Sequence, residues 1–271
     1  MDSWLDGQPA EAVGLRNRGL AYGDGLFETL AVRGGRALLL HRHLQRLQGG
    51  CQRLALEQDM ALLADEVQRY AELMGEGVLK LMLLRGDSPR GYATDPASPP
   101  RRILQASALP VYPPGHAEQG VRLFPCQTRL AEQPLLAGLK HLNRLEQVLA
   151  RAEWRDPAFA EGLMLDTGGR LIEGVYSNLF LVNDGVLRTA DLSRCGVAGV
   201  MRGALLAQAP ALGITTVVGE LWPADLRRAT EVFLCNSVYG VWPVQSFTDL
   251  RWSPGPVTRK LQAFARTLLD A

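Results

Sequence analysis

Pro110-Val-Tyr-Pro-Pro-Gly115 places three prolines within five residues, and each proline fixes its own φ and has no N–H to give to a helix or a sheet. No regular element runs through such a stretch, so the chain is expected to divide there. The expected organisation is a smaller N-terminal domain over residues 1–109, a linker over 110–115 and a larger C-terminal domain over 116–271 that bears Lys140. With 271 residues, 47% of them apolar, both bodies can bury a core.

On the N-terminal side, residues 26–32 and 36–40 are β-favouring runs around Gly34-Gly35, and paired glycines tolerate the positive φ of a tight hairpin. This places Glu28 and Thr29 on a strand. Leu44, Leu47, Cys51 and Leu54 then recur at helical intervals, and a second amphipathic stretch covers 62–74. Strands are expected at 78–84 and 103–109, joined by a polar loop over 85–102 that is too long for a turn. Beyond the linker, 121–125 reads as a strand, 162–165 pairs with 171–174 across Thr167-Gly-Gly, and 179–182 pairs with 186–189 across Asn183-Asp-Gly185. Further strands at 215–218 and 231–235 and helices at 200–209, 224–228 and 257–269 complete the pattern, with Lys140 near the start of an amphipathic helix carrying Leu142, Leu145, Val148 and Leu149. Hairpins mixed with intervening helices give an α+β fold, not a regular strand-and-crossover alternation.

The net charge is +1 with acids and bases interspersed, which leaves no basic stripe for a nucleic acid and no polybasic patch for a membrane. Cys51, Cys126, Cys195 and Cys235 stand singly, without the spacing of a zinc site or the density of a disulfide scaffold, and read as reduced thiols of a cytoplasmic protein. The segment after Met1 lacks the basic start and apolar run of a signal peptide. His41, His43, His116 and His141 form no metal-ligand pattern, and neither a nucleophile-elbow serine nor a Walker loop is present.

Several residues could carry chemistry. Lys140 is the one amine in Leu136-Ala-Gly-Leu-Lys-His-Leu-Asn-Arg-Leu-Glu-Gln-Val148, and an amine among apolar neighbours loses hydration and becomes available for a Schiff base with a carbonyl. A solvated surface lysine is the ordinary alternative. Gly196-Val-Ala-Gly-Val-Met-Arg202 precedes an apolar helix, where backbone N–H groups and the helix dipole suit an anion, although glycine-rich helix entries are common in ordinary loops. Arg46 shares a helix face with Gly49, Gly50 and Arg53, and two mid-helix glycines cost about 1 kcal/mol each relative to alanine, so a close approach by a cofactor or another backbone would account for them. Glu173 follows Leu171-Ile172 on a strand, and a carboxylate among apolar residues needs solvent or a partner.

Four stretches together, Tyr22-Gly-Asp-Gly-Leu-Phe-Glu-Thr29, Lys140-His-Leu-Asn-Arg-Leu-Glu-Gln147, Ser177-Asn-Leu-Phe180 and Cys235-Asn-Ser237, resemble the aminodeoxychorismate lyases, fold-type IV pyridoxal phosphate enzymes of the class-IV aminotransferase family. The resemblance covers nearly the whole chain and implies a two-domain α+β fold with mixed and antiparallel sheets, pyridoxal 5'-phosphate carried on Lys140, and cleavage of 4-amino-4-deoxychorismate to 4-aminobenzoate and pyruvate in folate biosynthesis. It also implies roles for matching residues. Arg46 and the backbone amides of Val200 and Met201 would bind the cofactor phosphate, Glu173 would face the pyridine nitrogen, and Ser177 and Asn178 would support the cofactor. Asn236 with Ser237 would make a later phosphate or substrate-side contact, Arg90 and Tyr92 would lie on the substrate side, and Thr29 would stand near the substrate as a candidate for proton traffic. Lys140 would also act as general base, and the enzyme would be a homodimer. Branched-chain and D-amino-acid aminotransferases resemble the chain at the same lysine, glutamate and phosphate positions; the wording of 140–147, Arg90-Gly-Tyr92 and Cys235-Asn-Ser237 favours the lyase. A non-catalytic small-molecule binding protein with glycine-rich loops is the reading from a different class.

Overall fold

The computed structural model describes residues 2–95 and 97–270, and its contacts divide the chain into two units. The first holds residues up to Pro110, the segment Leu139–Asn143 and Asp270; the second holds Val111–Gly138 and Arg144–Leu269. Lys140 therefore belongs to the first unit, not to the C-terminal body expected from the sequence. The reason is main-chain pairing. The Phe27 N–H donates to the Lys140 carbonyl at 2.9 Å, the Leu142 N–H donates to the Gly25 carbonyl at 3.0 Å, and Leu26 bridges His141, so Leu139–Asn143 runs extended beside a strand of the first unit.

In the first unit the elements are β1 (Trp4–Leu5), β2 (Gln8–Pro9), α1 (Arg18–Tyr22), β3 (Gly25–Arg33), β4 (Arg36–Ala37), α2 (Leu40–Leu54), α3 (Met60–Met74), β5 (Gly77–Leu84) and β6 (Arg101–Ser107). The strands form one antiparallel sheet in the order β2-β1-β6-β5-β3-β4. Strand side chains alternate between faces. Leu26, Glu28 and Leu30 of β3, Leu79, Leu81 and Leu83 of β5 and Leu104 of β6 are all buried, and they share a core with Leu47, Cys51, Leu63, Val67 and Tyr70 of α2 and α3. The other face carries Phe27, Thr29, Lys80, Met82 and Gln105, which are half-buried or exposed. The expected strand over 36–40 shrinks to Arg36–Ala37 because Leu39 turns into the left-handed region, φ 57°, and α2 begins at Leu40. Gly50 is explained by packing: a Cβ there would stand 2.7 Å from a Leu26 methyl, so its absence lets α2 press onto β3, whereas a Cβ on Gly49 would meet open space.

In the second unit the elements are α4 (Gly115–Glu118), β7 (Val121–Leu130), α5 (Leu145–Ala152), β8 (Phe159–Asp166), β9 (Leu171–Gly174), β10 (Asn178–Asn183), β11 (Val186–Ala190), α6 (Val200–Gln208) with a 3-10 turn (Ala209–Leu212), β12 (Thr216–Gly219), α7 (Pro223–Arg228), β13 (Glu231–Asn236), β14 (Gly240–Phe247), β15 (Leu250–Arg251) and α8 (Pro256–Leu269). The sheet is mixed, in the order β12-β11-β10-β13-β14-β7-β8-β9, and an added pairing of Asn178 with Glu173 joins β9 back to β10. That link closes six strands into a ring around a core that includes Leu123, Leu163, Leu179, Leu234 and Trp242. The helix expected around Lys140 starts only at Leu145, and its Leu145, Val148 and Leu149 are exposed. No helix among the described residues is long and apolar enough to cross a membrane.

One ionic cluster ties β3 to α2. Glu28, fully buried, accepts from Arg46 Nε at 2.8 Å and from Arg46 Nη2, while His43 Nδ1 lies 2.5 Å from its Oε2. Burial alone would raise the Glu28 carboxyl, but the Arg46 charge and the His43 bond outweigh it and hold it down to about 2. Burial pushes the His43 imidazole below its ordinary 6.5, against the pull of Glu28, so the ring is neutral at physiological pH. Both folded values lie below the unfolded ones, so each group's contribution is present above its ordinary value and is lost on acidification. In urea titrations, stability is expected to fall as the pH drops below 6.5 through His43 and further between 4.5 and about 2 through Glu28. Glu28→Gln should flatten the lower part of this profile, and an unchanged profile would show that the cluster does not govern acid stability.

Candidate active site

In the first unit, the sheet face left open by α2 and α3 displays the lysine. Lys140 Nζ lies 4.2 Å from the centroid of the Phe27 ring, and Lys140 is half-buried. The lysine backbone is fixed by the strand pairing with β3, so the amine is carried on a rigid support. Thr29 is two residues beyond Phe27 and shares its face, which places it on the same open surface. On the covered side, the Arg46 guanidinium is held edge-on by the two Glu28 oxygens, with its side chain 15% exposed. His43 donates from Nδ1 to the ionised Glu28, and its buried Nε2 has no hydrogen-bond partner.

Arg90 and Tyr92 lie in the long loop after β5, and both are exposed, Tyr92 to 84%. The loop is anchored by a buried arginine that the sequence did not single out. Arg18 donates from Nη1 to Ser88 Oγ at 2.9 Å and to the Gly91 carbonyl at 3.0 Å, and from Nη2 to the Tyr92 carbonyl at 3.0 Å, while its Nε reaches Asp24 at 2.9 Å. The Tyr92 ring packs against Tyr22, 5.4 Å between centroids. The stretch 88–93 of this loop is thus held by Arg18 through the Ser88 hydroxyl and three main-chain carbonyls, with the Arg90 side chain exposed.

In the second unit, Glu173 and Asn178 meet where the strand ring closes. Glu173 Oε2 accepts the Val197 N–H at 2.8 Å and Asn178 Nδ2 at 3.4 Å, and the same Asn178 amide donates to the Val197 carbonyl at 2.9 Å. A buried carboxylate is thereby fixed in direction. Arg144 belongs to this group: burial lowers the pKa of its guanidinium, and the charge of Glu173 raises it. Val200 and Met201 open α6, and the N-cap is Gly199, which has no side chain to bond the first amides. A Cβ on Gly199 would stand 1.9 Å from Asn178 Oδ1, so this turn and the Glu173 support are packed too closely for any larger residue. The loop before α6 is pinned to Gly138, whose N–H donates to the Gly196 carbonyl at 2.9 Å and whose carbonyl accepts from Ala198 at 3.0 Å.

Ser177 and Asn236 have structural work that the sequence did not suggest. Ser177 Oγ donates to Glu161 Oε2 at 2.8 Å, and Glu161 also accepts the N–H groups of Gly162, Val175 and Tyr176, so this carboxylate ties down the turn between β9 and β10. Burial pushes the Glu161 carboxyl up to about 8, against the four donors. Asn236 spends its Oδ1 on the N–H groups of Val238 and Tyr239, both at 2.9 Å, and so shapes the β13–β14 turn. Glu28, His43, Arg144 and Glu161 escaped the sequence reading. Glu28 carried a visible signal, a charge at a position where the alternation of β3 demands an apolar residue; Arg144 lay inside a stretch already singled out.

The family model for class IV amino-transferases matches residues 25–247. The solved structure of 4-amino-4-deoxychorismate lyase from Pseudomonas aeruginosa is 57% identical, covers 99% of this chain and 100% of its own, and superposes with a TM-score of 0.97. The aminodeoxychorismate lyase of Vibrio harveyi is 35% identical over 270 residues, 97% of this chain and 99% of that one. The fold is shared more widely: a hypothetical aminotransferase from Mycobacterium tuberculosis, solved in its PLP-bound form, is 22% identical with a TM-score of 0.80 over 96% of this chain and 94% of its own. With its lysine on the Phe27 face and its glutamate at the closure of the strand ring, this chain belongs to the class IV aminotransferase family.

Proposed function

We propose that the chain is a pyridoxal 5'-phosphate enzyme that converts 4-amino-4-deoxychorismate to 4-aminobenzoate and pyruvate, in the route to folate. The observation that carries this reading is the near-complete likeness to the Pseudomonas aeruginosa lyase, joined to a lysine amine held over an aromatic ring on an open sheet face. The residues present fit the cofactor. Glu173 is a buried carboxylate of fixed direction, suited to a protonated ring nitrogen, and the glycine turn before α6 offers uncapped amides of Val200 and Met201 to a phosphate. Bound pyridoxal phosphate supplies a carbonyl for the amine and an electron sink for the bond-breaking step.

The chain's own residues do the rest. Lys140 would hold the cofactor, and its amine would be the general base that takes the proton from the substrate ring carbon bearing the amine. The enolpyruvyl C–O bond to the ring then breaks, aromatisation of the ring drives the loss, and the departing fragment ends as pyruvate. Val197 and Asn178 keep the Glu173 carboxylate aimed, and nearby Arg144 favours its ionised form. Arg46 is a phosphate ligand whose orientation Glu28 sets. Thr29, on the face of Phe27, is placed for hydrogen-bond traffic to the substrate, and Arg90 and Tyr92 serve the substrate side from their anchored loop. Ser177 contributes through the turn it fixes, and Asn236 through the β13–β14 turn. The working form is a homodimer in the cytoplasm, in keeping with the exposed Leu145, Val148 and Leu149 on one face of α5.

Mixing cofactor-loaded protein with 4-amino-4-deoxychorismate is expected to give 4-aminobenzoate and pyruvate in equal amounts, followed together by chromatography, and Lys140→Ala should give neither. Absence of both products from the native chain, with amino-group transfer between amino acids and 2-oxo acids instead, would establish the aminotransferase reading. A chain that takes up no cofactor would point to the binding-protein reading. Gly199→Ala is expected to displace Asn178 and weaken cofactor affinity by roughly tenfold, equivalent to about 1.4 kcal/mol, as read by equilibrium dialysis; an unchanged affinity would detach this turn from the phosphate. Light scattering should return twice the chain mass, and a monomer would remove the dimer from the reading.

A further inference from the structure

Gly174-Val-Tyr-Ser177 is the turn that leads from β9 into β10, and it stands between Glu173 and Asn178, the pair that closes the strand ring. The Gly174 N–H donates to the Ser177 carbonyl at 2.7 Å, which makes the turn tight. Its next three donors point to one place. The N–H groups of Val175 and Tyr176 and the Ser177 hydroxyl reach the Glu161 carboxylate at 3.1, 3.4 and 2.8 Å, and the Gly162 N–H adds a fourth bond at 2.9 Å. Successive N–H groups turned to one side make an anion-binding concavity, and here the anion comes from the chain itself. The packing gives the turn no slack: a Cβ on Gly174 would stand 2.3 Å from Ser177 Oγ and 3.0 Å from the Glu161 carboxyl group.

Glu161 is fully buried and its four donors are uncharged. Burying a carboxylate on these terms is costly, and a neutral acceptor would serve an ordinary turn at lower cost. A carboxylate has lone pairs on both oxygens, so it alone among side chains of this size takes every donor of the segment at once. We propose that Glu161 is a positioning residue of the cofactor site, acting through Glu173 by fixing the turn that spaces Glu173 from Asn178. The inference rests on the pyridoxal phosphate reading. Asn178 Nδ2 donates to Glu173 Oε2 at 3.4 Å, near the limit of a hydrogen bond, so a small shift of the turn breaks it. The carboxylate then leaves the direction in which it meets a protonated ring nitrogen.

The test is a double-mutant cycle on the full chain with Glu161→Gln and Glu173→Gln, read by equilibrium dialysis of pyridoxal phosphate and by the visible circular dichroism of the bound cofactor, which reports the tilt of its ring. Glutamine keeps the size of Glu161 while its NH2 offers no lone pair to the donors on that side. Glu161→Gln is expected to weaken cofactor affinity roughly tenfold and to alter the dichroism. In the Glu173→Gln chain the same change should cost about twofold or less, while it lowers the Tm of the cofactor-free chain equally in both backgrounds. Equal losses of affinity in both backgrounds would overturn the proposal, since Glu161 would then act on the fold at large, and so would unchanged affinity and dichroism in the single variant. If Glu161→Gln does not fold, Ser177→Ala, which removes one donor and leaves the carboxylate, enters the same cycle with the same expected dependence on Glu173. Unchanged cofactor affinity and dichroism in Glu173→Gln alone would overturn the assigned role of Glu173 and this inference with it, whereas a loss there with none in Glu161→Gln overturns the inference only.

Discussion

Everything in the first unit that concerns Lys140 depends on two main-chain hydrogen bonds, from Phe27 to the Lys140 carbonyl and from Leu142 to the Gly25 carbonyl. They make a short excursion of the chain behave as an added strand beside β3. The lysine is consequently positioned by backbone geometry before its side chain takes any rotamer, and the Phe27 ring beneath it comes from the paired strand itself. Gly25 is part of the arrangement: a Cβ there would stand 2.4 Å from the Leu83 carbonyl and 2.9 Å from a Leu142 methyl. A glycine is needed for three strands to meet at that point.

In the second unit the corresponding constraint is closure. The link from Asn178 to Glu173 completes the ring of strands, and the same two side chains converge on Val197. Strand pairing, loop position and carboxylate direction are therefore one arrangement, and none can change alone. Glu161 gives the turn beneath them a comparable internal anchor, replacing separate solvent contacts of Ser177 and its neighbours with one buried acceptor.

Much of this was legible in the sequence. The apolar alternation of β3 and β5, the glycine hairpins and the helical period of Leu44, Leu47, Cys51 and Leu54 follow from local chemistry, and the structure has elements at each. What local patterns could not supply was long-range pairing. The run Leu139 to Leu149 looks like one amphipathic helix, yet its first half is captured by β3 and only the remainder from Leu145 becomes helical, because a strand edge offers hydrogen bonds that sequence spacing does not reveal. The family resemblance implies cofactor support from Ser177 and a phosphate or substrate-side contact from Asn236, while the hydroxyl and amide of these residues are engaged by Glu161 and a turn. Glu28 shows in the sequence only as a charge at an apolar position of β3, and His43 looks like an ordinary helix residue, since the buried hydrogen bond between β3 and α2 becomes visible only when the two elements are packed together.

The two sides of β3 carry separate duties, and that separation bears on how such a chain can change over generations. Leu26, Glu28 and Leu30 are locked into the core, where a substitution alters packing or strands a charge; Phe27 and Thr29, with Lys80 and Met82 on the neighbouring strand, face outward and cost the core nothing when they vary. Side chains can therefore change on one side of the sheet while the scaffold on the other stays intact. A protein organised this way can replace single outward side chains without first having to gain stability to tolerate them.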